Sequence, residues 1–265
     1  MDVVSLGFRT DLALLRLGGS LIEDRGDHLV VTSPQNPTFW WGNFILLDHV
    51  PPPEAAGEWV DVFRREFPDQ DHLAIGIDGR TRTREDAAGF AALGLKVETS
   101  SVMTAQSVHE PPHPNMRAEY RRLESDQDWA DHVELRVALE ERYDKDSYRV
   151  FVTDKARSSR AIVESGNGAW FGAFIDGRLL STMGLVRADA DVARFQNVET
   201  HPEARGQGLA GTLVEHVSRY GFDELGATTL VMVADPDYVA IRVYRAVGFT
   251  SSETQLQIER TRGTD

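Results

Sequence analysis

Residues 198–211 read Val-Glu-Thr-His-Pro-Glu-Ala-Arg-Gly-Gln-Gly-Leu-Ala-Gly, and the fold is decided there. The apolar run Val192–Val198 leads in and has the look of a strand, which Pro202 stops. After Arg205-Gly206-Gln207-Gly208 the pattern changes period. Leu209, Leu213, Val217 and Tyr220 recur at helical spacing, with Glu215, Arg219 and Asp223 on other faces. A strand, a glycine turn and a helix therefore follow one another. The first N–H groups of a helix have no internal acceptor, and its dipole is positive at that end. Gly206 and Gly208 leave room for a ligand at the main chain. The arrangement is an anion cradle suited to phosphates.

Composition narrows the classes. The chain has 265 residues, 41% hydrophobic and 26% charged, as in soluble globular proteins of one large or two ordinary domains. No apolar run reaches membrane-spanning length, and the opening residues lack a secretory pattern. Cysteine is absent, which excludes disulfides, thiolate metal sites and cysteine nucleophiles and fits a cytoplasmic enzyme. A net charge of -14 argues against general nucleic-acid or anionic-membrane binding. It serves solubility and, secondarily, favours cationic partners.

Outward from the turn, the second half reads as strand Glu119–Leu123, a helix from a Ser125/Asp128 capping pair to Tyr143, and a helix over Ser147–Glu164. A hairpin follows, Ala169–Ile175 and Leu179–Val186 about Asp176-Gly177. Beyond the glycine turn come strand Thr228–Ala234, helix Asp237–Ala246 closed by Gly248, and strand Gln255–Glu259. This order predicts a mixed, mostly antiparallel α/β sheet flanked by helices. The first half, residues 1–110, reads as a smaller α/β domain. It has a hairpin over Leu21–Val31, a strand Thr38–Leu47, a helix Glu58–Phe67, a strand His72–Ile77, a helix Arg84–Leu93 and a strand Leu95–Val102. Phe39, Trp40 and Trp41 are expected to pack in the core rather than stack on a ligand. A proline-rich, solvated linker is expected at 111–116, with the second domain at 117–265. His109 and His113 lack a neighbouring ligand set, so no metal is expected.

Two readings of the turn compete. Gly206-Gln207-Gly208-Leu209-Ala210-Gly211 matches the dinucleotide fingerprint, with Asp235 where a ribose-binding acid could fall. Against it, His201–Arg205 separate strand from glycine, a hairpin lies upstream, and too few residues follow Asp235 for the remaining strand–helix units.

The longer pattern is Arg205-x-x-Gly208-x-Ala210 followed by Asp237-x-x-Ala240-x-x-x-Tyr244-x-x-x-Gly248-Phe249. It resembles the GNAT superfamily of acyl-CoA-dependent N-acetyltransferases across residues 117–260, and His201-Pro202-Glu203 before the turn is also typical. Asp237 departs from the family's usual Asn. An ionised acid cannot donate the amide's hydrogen bonds, so Asp237 reads equally as an N-cap. The resemblance implies acetyl-CoA as acyl donor. Its pyrophosphate would lie on the amides of Gly206, Gln207, Gly208, Leu209 and Ala210 beside Arg205, and its pantetheine arm along main-chain groups of Val198 and Thr200.

The resemblance further implies direct transfer in a ternary complex to a primary amine, on a small molecule or a peptide, with Tyr244 protonating the departing thiolate. Glu199 and His201 are the candidate bases, and Asn197 a candidate substrate contact. Strand alternation puts these three on one side, although the family often has a bulge here. The plainer readings are an ion pair with an arginine for Glu199, and a lead into Pro202 for His201. The first half's late elements look like those of the second, implying a degenerate copy. Its His49–Gly57 segment has three prolines and no cradle motif, so it is expected to bind no acyl-CoA. A non-catalytic acyl-CoA-binding regulator is the alternative function, and a homodimer is left open.

Overall fold

Turn residues cut the chain into short helices and strands, and the computed structural model describes residues 1–141 and 143–260. Residues 261–265 of the expected second domain lie outside the described residues. Two compact units emerge. The first takes in Met1–Val102, Val233–Pro236 and the chain from Ser251 onward; the second takes in Met103–Met232 and Asp237–Thr250.

The first unit begins with α1 (Leu6–Leu17), capped by Ser5, whose hydroxyl accepts from the Phe8 N–H. Strands β1 (Leu21–Asp24) and β2 (His28–Thr32) form the expected hairpin. The aromatic stretch that follows is not one strand. Trp40–Gly42 is a 3₁₀ turn, and only Phe44–Leu47 is strand β3. The cause lies in Asn43, whose amide donates to the carbonyls of Asn36, Pro37 and Phe39 and whose Oδ1 accepts from Ser33 N–H, folding the backbone before it into a loop. Trp40 stacks on His72 with centroids 5.8 Å apart, and Trp41 lies against Phe44 at 5.5 Å.

Helix α2 (Ala56–Glu66) then leads to β4 (Leu73–Ile77), which runs parallel to β3. After α3 (Ala88–Ala92), β5 (Lys96–Ala105) completes this stretch. The core of the unit joins Phe8 and Leu12 of α1, all of β3, Phe63 of α2, and Ile75 and Ile77 of β4.

In the second unit, β6 (Glu119–Arg122) precedes α4 (Asp126–Leu139), which starts at a full capping box between Ser125 and Asp128. Helix α5 (Lys145–Glu164) packs on α4. Strands β7 (Gly168–Ile175) and β8 (Arg178–Arg187) meet at Asp176-Gly177, both with positive φ, the conformation a two-residue hairpin turn requires. Then come β9 (Val192–Thr200), α6 (Leu209–Asp223), β10 (Thr229–Ala234) and α7 (Ala240–Arg245). Strand order in the unit is β10-β9-β8-β7-β6, with β10 and β9 parallel and the other pairs antiparallel. This is the mixed, mostly antiparallel sheet that the element order predicts. The last strand, β11 (Thr250–Arg260), pairs antiparallel with β4, so residues read as the close of the second half complete the first unit's sheet.

Candidate active site

The pairing of β9 with β10 is short. It runs from Val192↔Thr229 to Arg194↔Val231, while β9 continues to Thr200. On its other edge β9 stays bonded to β8, with Thr182↔Glu199 and Ser181↔Thr200 in register. The main chain beyond Arg194 is therefore held on one side and carries no β10 ladder on the other. Within this stretch β8 advances from Gly184 to Thr182 while β9 advances from Gln196 to Glu199, and Asn197 has φ +50°. That is a β-bulge with its extra residue in the left-handed region. It breaks the alternation that would set Asn197 beside Glu199.

The strand runs through His201 into a 3₁₀ turn at Pro202–Ala204 and then to the glycines. Gly206 has φ +72° and Gly208 φ +79°, conformations that L side chains avoid. Gly208 is the N-cap of α6, and the first intrahelical bond is Thr212 N–H to Gly208 C=O at 3.1 Å. The N–H groups of Gly208, Leu209 and Ala210 precede that bond, and none has an acceptor among the described residues. The glycines differ in what surrounds them. A Cβ on Gly206 would meet nothing within 4 Å, whereas one on Gly208 would lie 2.2 Å from the His113 carbonyl oxygen. The room at Gly208 is thus used by the chain itself. The 111–116 segment, expected to be solvated, sits on this turn, with Pro111 buried. Arg205 is exposed, and its Nε donates to the Thr200 carbonyl at 3.3 Å; Gln207 Nε2 donates to the Glu203 carbonyl at 2.9 Å.

Glu199 faces α4. Its Oε1 accepts from Arg136 Nε at 3.1 Å, and its Oε2 is buried with no partner among the described residues. Burial raises the carboxyl's pKa, and the Arg136 guanidinium pulls it back down. The nearby Tyr148 hydroxyl has its pKa raised by burial, with the Arg136 charge lowering it in part. On the same face of α4, His132 Nδ1 lies 3.3 Å from the Thr182 hydroxyl, and burial together with the Arg136 charge lowers its pKa to about 3. His201 shares a cavity of about 460 Å³ with Asp131, Leu135 and Ala138 of α4 and with the β7–β8 turn. Its Nδ1 is buried without a hydrogen-bond partner among the described residues, the Glu203 carboxylate standing 3.8 Å away.

Tyr244, on α7, is buried, and desolvation raises its pKa further above the ordinary phenol value. It is a proton donor throughout the neutral range. Asp237 is exposed and is not the cap of α7, which starts at Ala240 with Val239 in the cap position. Sequence reasoning missed Arg136, His132 and Tyr148. One signal was available for two of them: His132 and Arg136 are four apart and follow Trp129 on the stripe that α4 buries. Among the described residues no group of three or more His, Asp or Glu could hold a metal ion, and no helix is long and apolar enough to cross a membrane.

Parted strands, a bulge, and a glycine turn opening a helix meet in one mixed α/β unit. Residues 128–249 match the Acetyltransferase (GNAT) family. Acetyltransferases of that family take acyl-CoA as co-substrate and in general act on amines. Solved structures agree in fold. A GCN5-related N-acetyltransferase from Kribbella flavida is 16% identical, with a TM-score of 0.66 over 98% of this chain and 97% of that one. A tandem GNAT protein from the clavulanic acid biosynthesis pathway is 14% identical, with a TM-score of 0.56 over 100% of this chain and 98% of that one. A functionally unknown conserved protein from Staphylococcus epidermidis is 13% identical, with a TM-score of 0.71 over 90% and 92% of the two chains. No curated protein matches this chain.

Proposed function

We propose that the second unit transfers an acetyl group from acetyl-CoA to a primary amine by direct attack in a ternary complex. The observation that carries this reading is a continuous one: the β9 edge left without a β10 ladder runs straight into a helix start with unspent N–H groups. A diphosphate accepts from the amides of Gly208, Leu209 and Ala210 with Arg205 as countercharge, and the pantetheine arm lies along Val198 and Thr200. An amide of that edge polarises the thioester carbonyl as negative charge develops. The amine must lose a proton to attack. Glu199 is the preferred acceptor, directly or through water, because its Oε2 is buried and unpartnered while Oε1 is anchored by Arg136. His201 is the second candidate. Tyr244 returns a proton to the CoA thiolate, so the C–S bond breaks as the amide C–N bond forms.

The test has two parts. Wild-type protein binds acetyl-CoA in calorimetry and releases free thiol with some member of a broad panel of primary amines. Tyr244→Phe keeps that affinity and loses roughly 10²–10⁴ in turnover, the span of general acid catalysis. Tight binding with no thiol release across the panel makes the protein an acyl-CoA sensor instead. No binding at millimolar ligand removes the proposal.

A further inference from the structure

The segment on the glycine turn is fastened at one residue, Asn115. Asn115 uses each of its polar groups. Its backbone N–H donates to Thr212 Oγ1 at 2.9 Å, and its Nδ2 donates to the Gln207 carbonyl at 2.8 Å. Its Oδ1 accepts from the N–H groups of Arg117 at 2.9 Å and Ala118 at 3.1 Å, and its carbonyl accepts from the Tyr120 hydroxyl at 2.8 Å. The Thr212 hydroxyl, having accepted from Asn115, donates to the Gly208 carbonyl at 3.0 Å. Two successive carbonyls of the turn, those of Gln207 and Gly208, are thus gripped from one network.

A trans peptide is planar, and its C=O and N–H point opposite ways. Fixing the Gln207 carbonyl therefore aims the Gly208 N–H, and fixing the Gly208 carbonyl aims the Leu209 N–H. Without such a grip Gly206 and Gly208, both free of Cβ, would let these planes turn. The His113 carbonyl closes against Gly208 where any Cβ would intrude.

We propose that Asn115 is a positioning residue for the acyl donor. From outside the strand–turn–helix motif it holds the two leading amides in the orientation that receives the diphosphate. The proposal rests on the reading of this turn as the diphosphate seat. It makes donor affinity depend on a residue in the segment that joins β5 to β6, some ninety residues before the turn in sequence.

The experiment compares two donors on the full chain: acetyl-CoA by calorimetry, and S-acetylpantetheine, which lacks the diphosphate, by ligand-observed NMR. In Asn115→Ala the dissociation constant for acetyl-CoA rises roughly tenfold, as for loss of one well-aimed amide contact, while S-acetylpantetheine binding is unchanged. Thr212→Val, which removes the relay to Gly208 and leaves Asn115 in place, weakens acetyl-CoA selectively in the same way and serves if Asn115→Ala does not fold. An equal loss for both donors, or no loss for either, overturns the role of Asn115. If wild-type protein binds S-acetylpantetheine as well as acetyl-CoA, the turn is not a diphosphate seat and both readings fall together.

Discussion

Each unit contains a strand, a helix and a second strand parallel to the first: β3–α2–β4 in one, β9–α6–β10 in the other. They part at the strand ends. In the first unit the ladder reaches Leu47↔Ile77, and Asp78 N–H extends it by donating to the Leu47 carbonyl at 2.8 Å. In the second it stops at Arg194↔Val231 with β9 still running. The entries to the helices differ as well. Pro51-Pro52-Pro53 lead into α2, and proline brings no N–H, whereas α6 opens on Gly208 with its first amides unspent. The strand tails follow suit. Phe44–Leu47 are buried to 1% exposure or less, while Gln196–Thr200 are half-buried and, Val198 apart, polar. One frame thus closes into core, and the other leaves a strand edge without a ladder. This contrast supports the proposal that acyl-CoA is held by the second unit alone.

Changes that make one unit resemble the other test this contrast. Ala210→Pro gives α6 the kind of entry α2 has. Proline is tolerated in a first helical turn, so the helix persists, but one amide is gone. Acetyl-CoA affinity is expected to drop by more than roughly tenfold in calorimetry, the largest of these effects on binding. Leu47→Ala in β3 does the reverse. It costs about 2–5 kcal/mol in urea unfolding, as for a buried leucine, and leaves acetyl-CoA affinity unchanged. Arg136→Met removes the partner of Glu199 and costs about 3 kcal/mol. With the guanidinium gone, the Glu199 carboxyl titrates higher, so the acidic limb of the turnover profile moves to higher pH.

The last effect is a pH dependence and concerns His132, whose folded-state pKa of about 3 lies below the ordinary 6.5. Below pH 6.5 the unfolded chain binds a proton that the folded chain refuses, so stability falls as pH falls toward 3. His132→Phe is expected to flatten the unfolding free energy between pH 6.5 and 4 by up to one proton's worth of slope.

Much of this was legible because it is local. The glycine turn, the Ser125–Asp128 box and the Asp176-Gly177 hairpin each depend on residues within a few positions of one another. The failures involve partners that sequence spacing does not announce. The Thr38–Leu47 run has strand composition, yet Asn43 reaches back to three carbonyls and curls its first half. Proline content correctly denied regular structure to 111–116 but said nothing about what the segment packs on, which depends on Asn115 meeting Gln207 and Thr212. Arg136 and Glu199 are 63 residues apart, and their meeting is set by how α4 lies on β8 and β9. The positive φ at Asn197, which asparagine tolerates better than most residues, likewise goes with the β8–β9 register shift.

The most direct test follows the backbone amides by NMR as acetyl-CoA is added to isotope-labelled protein. The account predicts that the resonances of Gly208, Leu209 and Ala210 move together and saturate, while those of Glu54, Ala55 and Ala56 at the start of α2 stay where they are. Movement at the α2 entry, or stationary α6 amides while acetyl-CoA binds, would contradict it.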